Sequence, residues 1–151
     1  MEGMISKGNP RLLIVILTLL AGFGLYLPTL GRSLVAVGDA AEFSVAVLTN
    51  GIAHPSGYPL FLILGKIATF VPIGNKILLV NATSALWGTL TGVVLTLLVY
   101  RLTHSFVASL FTGLLLLSSF LFWKYSVVSE VFTLNTFLAL LLFYLAITIT
   151  S

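Results

Sequence analysis

Acidic side chains are scarce in this 151-residue chain, and three of the four present stand where they could meet a substrate. In Gly38-Asp39-Ala40-Ala41-Glu42-Phe43 two carboxylates lie three residues apart, on one face of a helix near its N-terminus. An ionised Asp39 there can act as general base on an incoming hydroxyl, with Glu42 orienting the acceptor or raising that basicity by repulsion. The same spacing is an acidic relative of the capping box, in which both carboxylates satisfy backbone donors. Asn50-Gly51 supplies the C-terminal stop under either reading, so 39–50 is expected to be one short helix.

Twelve residues after Glu42 comes His54-Pro55-Ser56-Gly57-Tyr58-Pro59. Two prolines fix φ and a glycine permits a tight turn, so an imidazole and a phenol are presented from a stiff loop. The alternative is a plain turn, with His54 solvated at the headgroups and Tyr58 an interfacial anchor. A third stretch, from Trp123-Lys124-Tyr125 to Ser129-Glu130-Val131-Phe132, holds the only acid of the second half. Glu130 either marks a membrane boundary and pairs with Lys124, or joins the first two acids around one substrate. Asn81-Ala82-Thr83 has the glycosylation spacing but lies in an apolar run, and Gly88 and Gly92 are four apart. Both are expected to serve helix packing.

The elements that must position these residues follow from composition. Hydrophobic residues make up 59% of the chain, charged residues 7%, and the mean hydropathy is +1.18. A soluble domain is about 25% charged, so a soluble globular protein is excluded. Seven Lys/Arg are too few and too scattered for a nucleic-acid surface, and without cysteine there is no disulfide, thiolate nucleophile or Cys-based zinc site. Uncharged runs at 12–31, 77–100, 105–123 and 131–151 each approach the roughly 20 residues a helix needs to cross a bilayer. The expected fold is an all-α polytopic membrane protein with four transmembrane helices, its N-terminus cytoplasmic behind Lys7 and Arg11.

Between the first two spans, 32–76 holds five of the eleven charges and three of the five prolines. Within it 58–71 is apolar but short, begins at Pro59, meets Pro72 and carries Lys66, which suits a surface helix rather than a span. With 58–71 in the interface, the loops 32–76 and 124–130 share the outer face, placing Asp39, Glu42, His54 and Glu130 on one side. The last run continues to Ser151 without a loop or cap, as expected of the N-terminal part, 1–151, of a longer membrane domain.

One span, a long outer loop with an Asp-x-x-Glu pair, a His-Pro-Ser-Gly-Tyr-Pro stretch entering a surface helix, and a later Ser-Glu-Val-Phe together resemble the GT-C membrane glycosyltransferases. Within that group the likeness is to a bacterial family related to endoplasmic-reticulum protein O-mannosyltransferases. It implies transfer of a sugar, mannose included, from a polyprenyl-phosphate donor to a hydroxyl on protein, lipid or glycan, with inversion, by an acid of the first outer loop. The setting it implies is a bacterial inner membrane or the endoplasmic reticulum. Phe132 departs from the pattern by lacking a hydroxyl.

Under that resemblance Asp39 and Glu42 are the expected catalytic pair, and His54, Tyr58, Lys66, Lys124 and Glu130 the substrate contacts. The lysines would neutralise the departing phosphate. No organic cofactor is required, and a divalent metal on Asp39, Glu42 and Glu130 would be chemically acceptable. Two rivals are a transporter or flippase subunit and a non-catalytic membrane scaffold. Against the first, the acids fall in loops and at span ends, whereas coupled transport calls for an ionisable group near the midplane.

Overall fold

The computed structural model describes residues 9–149; Lys7 and the last two residues of the fourth expected span lie outside that range. Among the described residues the chain is all-helical. Helix α1 (Pro10–Tyr26) continues into a 3-10 turn at Leu27–Thr29. It is followed by α2 (Ala40–Thr49), α3 (Pro59–Ala68), α4 (Lys76–Thr103), α5 (Phe106–Ser118), α6 (Phe120–Ser126) and α7 (Phe132–Ile149). The segments Pro10–Thr29, Lys76–Thr103 and Phe132–Ile149 are long and apolar enough to cross a membrane. A fourth crossing is available to α5 and α6 if that pair, bent by 65°, is taken as one span.

Capping extends the helices past the uncharged runs. The Asn9 side chain accepts the Arg11 N–H at 3.0 Å and starts α1 two residues before Leu12. Asn75 accepts the Leu78 N–H at 3.0 Å and draws Lys76 into α4, which runs on through Arg101 to a left-handed His104. The run 105–123 is not one straight helix. It breaks at Ser119, which is extended, and the helix beyond carries Trp123, Lys124 and Tyr125 as far as Ser126. The Ser118 hydroxyl bonds back to the Leu114 carbonyl at 2.7 Å, an arrangement that favours bending at such a break.

Helix α4 is the axis, with α1, α5 and α7 packed around it. Its small residues permit this. A Cβ on Gly92 would meet the Leu117 side chain of α5 at 2.8 Å, and one on Gly88 would press on Ser126 and Tyr26, so both glycines serve close packing. Asn81, the sequon asparagine, is buried and donates to the Gly31 carbonyl at 2.9 Å, while the Gly31 N–H reaches the Val127 carbonyl at 2.9 Å. These bonds tie the exit of α1 and the segment after α6 to the same end of α4.

Helices α2 and α3 close that end. Each has ten residues, or about 15 Å, half of the roughly 30 Å hydrocarbon core. Within 58–71 the helix ends at Ala68, and Pro59 occupies its first turn, where its missing N–H costs nothing. Phe43 and Phe61, both buried, pack with ring centroids 5.4 Å apart and hold the two short helices together.

Candidate active site

Asp39 opens α2, yet its carboxylate makes no capping bond and its side chain is 56% exposed. Nor does Glu42 cap its own helix. Its Oε1 accepts the His54 N–H at 2.6 Å and its Oε2 lies 3.0 Å from His54 Nδ1. The capping-box alternative therefore fails for both acids, because the His54 loop folds back over the first turn of α2 and takes Glu42 for itself. Those two bonds from His54, the main-chain one first, hold the Glu42 carboxyl below the usual carboxylate range.

His54 is clamped between the two acids. Its Nε2 stands 3.8 Å from Asp39 Oδ2 and 3.5 Å from the Tyr58 hydroxyl, while Glu42 occupies the Nδ1 side. The Nδ1 side is thus taken by Glu42, and Nε2 is turned toward Asp39 and the Tyr58 hydroxyl. The floor is aromatic: Phe43 lies 5.9 Å from the imidazole and 5.1 Å edge-on from Tyr58. Tyr58 itself has φ +45°, a left-handed conformation that turns the chain from this loop into α3.

Glu130 reaches the start of α2 from beneath. It is 1% exposed, and its Oε1 accepts the Asp39 N–H at 2.9 Å across 91 residues of sequence. Burial pushes its carboxyl above the usual range, against the Asp39 N–H, which favours the charged form. The expected partnership with Lys124 does not form; Lys124 Nζ instead lies 5.6 Å from the Tyr125 ring centre. Glu130 is thus not a solvated boundary marker: it meets the main chain of Asp39, and its burial gives it no open face toward a substrate.

Lys66 is drawn elsewhere. Its Nζ donates to the carbonyls of Val47 and Leu48 at 3.3 and 3.4 Å, at the C-terminal end of α2, about 13 Å along the helix from Asp39. A cation there complements the helix dipole. Sequence reasoning assigned no role to Ser44, Ser84 and Ser129, all buried beneath the cluster. The available signal was Ser129 itself, a hydroxyl beside the lone acid of the second half.

One ligand atom each from Asp39, Glu42 and His54 lies within 4.8 Å of the others, a mixed oxygen and nitrogen set that could serve a divalent ion. This differs from the expected trio. Glu130 is spent on the Asp39 main chain, and His54 takes its place. Two openings flank the cluster. A groove of about 360 Å³ runs along α2 past Glu42, Val45 and Ile52, and an apolar cavity of about 120 Å³ lies between α3 and α7, with Tyr58 at its edge.

Fold and site together define a multi-span helical membrane protein whose chemistry-bearing residues gather at one end of the bundle. In its three longest helices Arg11, Lys76 and Arg101 are the charged residues, and all lie near helix ends. The chain belongs to the family of the Protein O-mannosyl-transferase TMEM260 N-terminal domain, which matches residues 39–151 and so begins at Asp39 itself. It is similar to the Protein O-mannosyl-transferase TMEM260 of Mus musculus, with 36% identity over 120 residues, 79% of this chain and 17% of that protein. It is also similar to the Protein O-mannosyl-transferase tmem260 of Dictyostelium discoideum, with 33% identity over 113 residues, 72% of this chain and 14% of that protein. The chain therefore spans less than a fifth of the length of these curated relatives. No solved structure matches it.

Proposed function

We propose that this chain carries the acceptor-activating end of a membrane glycosyltransferase, moving a sugar, mannose by its relatives' names, from a polyprenyl-phosphate donor to a hydroxyl. The observation that carries the reading is the Asp39 carboxylate, exposed, released from capping, and 3.8 Å from an imidazole that Glu42 holds in place. Asp39 takes the acceptor's hydroxyl proton as that oxygen bonds to the anomeric carbon with inversion. The bond from that carbon to the phosphate oxygen breaks, and its electron pair departs with the polyprenyl phosphate.

The two openings suit the two substrates. The groove past Glu42 would admit the acceptor, and the apolar cavity beside Tyr58 an isoprenoid end. Of the two lysines, Lys124 is the better placed for the phosphate, since Tyr125, its neighbour, approaches Gly38. Lys66 is given to α2. In this reading α2 and α3 lie in the outer interface, on the non-cytoplasmic side of a bacterial inner membrane or the endoplasmic reticulum. Charges confined to the ends of the long helices weigh against a coupled transporter. The deciding assay is transfer from labelled polyprenyl-phosphate mannose by the intact membrane-embedded protein. Asp39→Asn should abolish it, and wild-type turnover in that variant would sink the base assignment.

A further inference from the structure

We infer that Glu130 is a positioning residue, which fixes the main chain of Asp39 from beneath the site, and that Gly38 is the residue that lets it approach. The inference rests on Asp39 being the base. At 1% exposure Glu130 offers no surface to a sugar or an acceptor. Its Oε1 is engaged by the Asp39 N–H at 2.9 Å, one of the donors a helix start leaves without a partner. In a capping box that N–H would be met by the glutamate three residues on, here Glu42. Here a carboxylate 91 residues away supplies that acceptor instead, Glu42 is left to His54, and the Asp39 side chain makes no capping bond.

Two features make the arrangement specific. Gly38 has φ +52°, and a Cβ there would collide with the same Glu130 Oε1, so only glycine admits the carboxylate this close. Glu130 is itself anchored. The Ser84 hydroxyl of α4 accepts the Glu130 N–H at 3.1 Å and donates to its carbonyl at 3.2 Å. Next to it the Ser129 hydroxyl donates to the Ala40 carbonyl at 2.6 Å and meets the Ser44 hydroxyl at 2.6 Å. A strut thus runs from the buried axis helix, through 129–130, to the first turn of α2. Displacing a reacting group by about 1 Å can cost on the order of 10²-fold in rate, the scale on which such a strut acts.

The test uses the intact protein in membranes or nanodiscs, labelled polyprenyl-phosphate mannose, and five variants: Asp39→Asn, Glu130→Ala, Glu130→Gln, Gly38→Ala, and the pair Gly38→Ala with Glu130→Ala. Glu130→Ala should lower kcat by roughly 10- to 100-fold with donor KM within about twofold. Glu130→Gln, which keeps an acceptor oxygen, should recover most of that loss. Gly38→Ala should resemble Glu130→Ala, and the pair should lose less than the product of the two. Should Glu130→Ala fail to fold, high kcat in Glu130→Gln with low kcat in Gly38→Ala carries the inference, and equal values overturn it. A rise in donor KM at constant kcat marks a substrate contact and overturns it. So does an unchanged kcat per folded molecule beside a lowered thermal midpoint, which marks a purely structural role. If Asp39→Asn keeps full turnover, the base reading falls and this inference with it. If Asp39→Asn is inactive but Glu130→Ala is not, only the inference falls.

Discussion

Two layers meet at the start of α2, and they treat the same chemical groups in opposite ways. In the outer layer Asp39 and Glu42 have side chains 56% and 43% exposed, on either side of a loop imidazole. In the inner layer Ser44, Ser84, Ser129 and Glu130 are at most 2% exposed, with Ser44 bonded to Ser129 and Ser84 to Glu130. Glu42 is held below the usual carboxylate range by donors that favour its charge, whereas burial pushes Glu130 above it. Reactivity requires access, and precision requires burial. Under the proposed reading, a membrane protein with few charges divides its acids between the two tasks.

Breaking the outer layer should have the largest effect. Asp39→Asn keeps the shape of the side chain and removes its basicity, and should lower transfer by about 10² to 10⁴-fold while the thermal midpoint barely moves. Breaking the inner layer should lower stability and activity together. Ser84→Ala leaves the Glu130 N–H without its hydroxyl acceptor in a buried place and should cost about 1 to 3 kcal/mol, read from thermal unfolding in detergent. Activity should fall in step with the loosened strut.

Titration sharpens the contrast, because the two glutamates shift in opposite directions from 4.5. The lowered Glu42 contributes stability that is present above 4.5 and lost as pH falls through its folded value. The raised Glu130 contributes stability that is present below 4.5 and lost as pH rises through its folded value. Across a pH series of thermal midpoints, Glu42→Gln should flatten the acid limb and Glu130→Gln the decline above 4.5. Identical profiles for the two variants would remove the distinction between the layers. The smallest effect belongs to Lys66→Met, which removes the cation from the C-terminal carbonyls of α2. It should cost about 0.3 to 1 kcal/mol and leave transfer nearly unchanged. A large loss of donor affinity in that variant would return Lys66 to the substrate.

Much of the architecture was legible because it depends on local and additive properties. The apolar runs marked the long helices, and Asn50-Gly51 ended α2, with Asn50 at φ +56° as a C-terminal stop requires. The buried role of Asn81 and the packing role of Gly88 and Gly92 followed from small and polar residues placed inside an apolar run. The bend at Ser119 was not legible, since two serines in an apolar stretch satisfy the length rule whether or not the helix breaks between them.

For the site the division is sharper. Residue types and spacing alone singled out Asp39, Glu42, His54, Tyr58 and Glu130, because charge and imidazole are costly near a bilayer and so stand out where they occur. Which of them serve one another was decided only by the tertiary structure. Asp39 and Glu42 had the spacing of a cap, and that spacing is equally satisfied when the carboxylates are used elsewhere. The return of the His54 loop claimed Glu42, Lys66 went to the far end of α2, and Glu130 arrived from 91 residues away to hold Asp39 by its N–H. Spacing along a helix specifies which side chains share a face; the partner each one meets depends on which distant segment the packing of α4 brings against it.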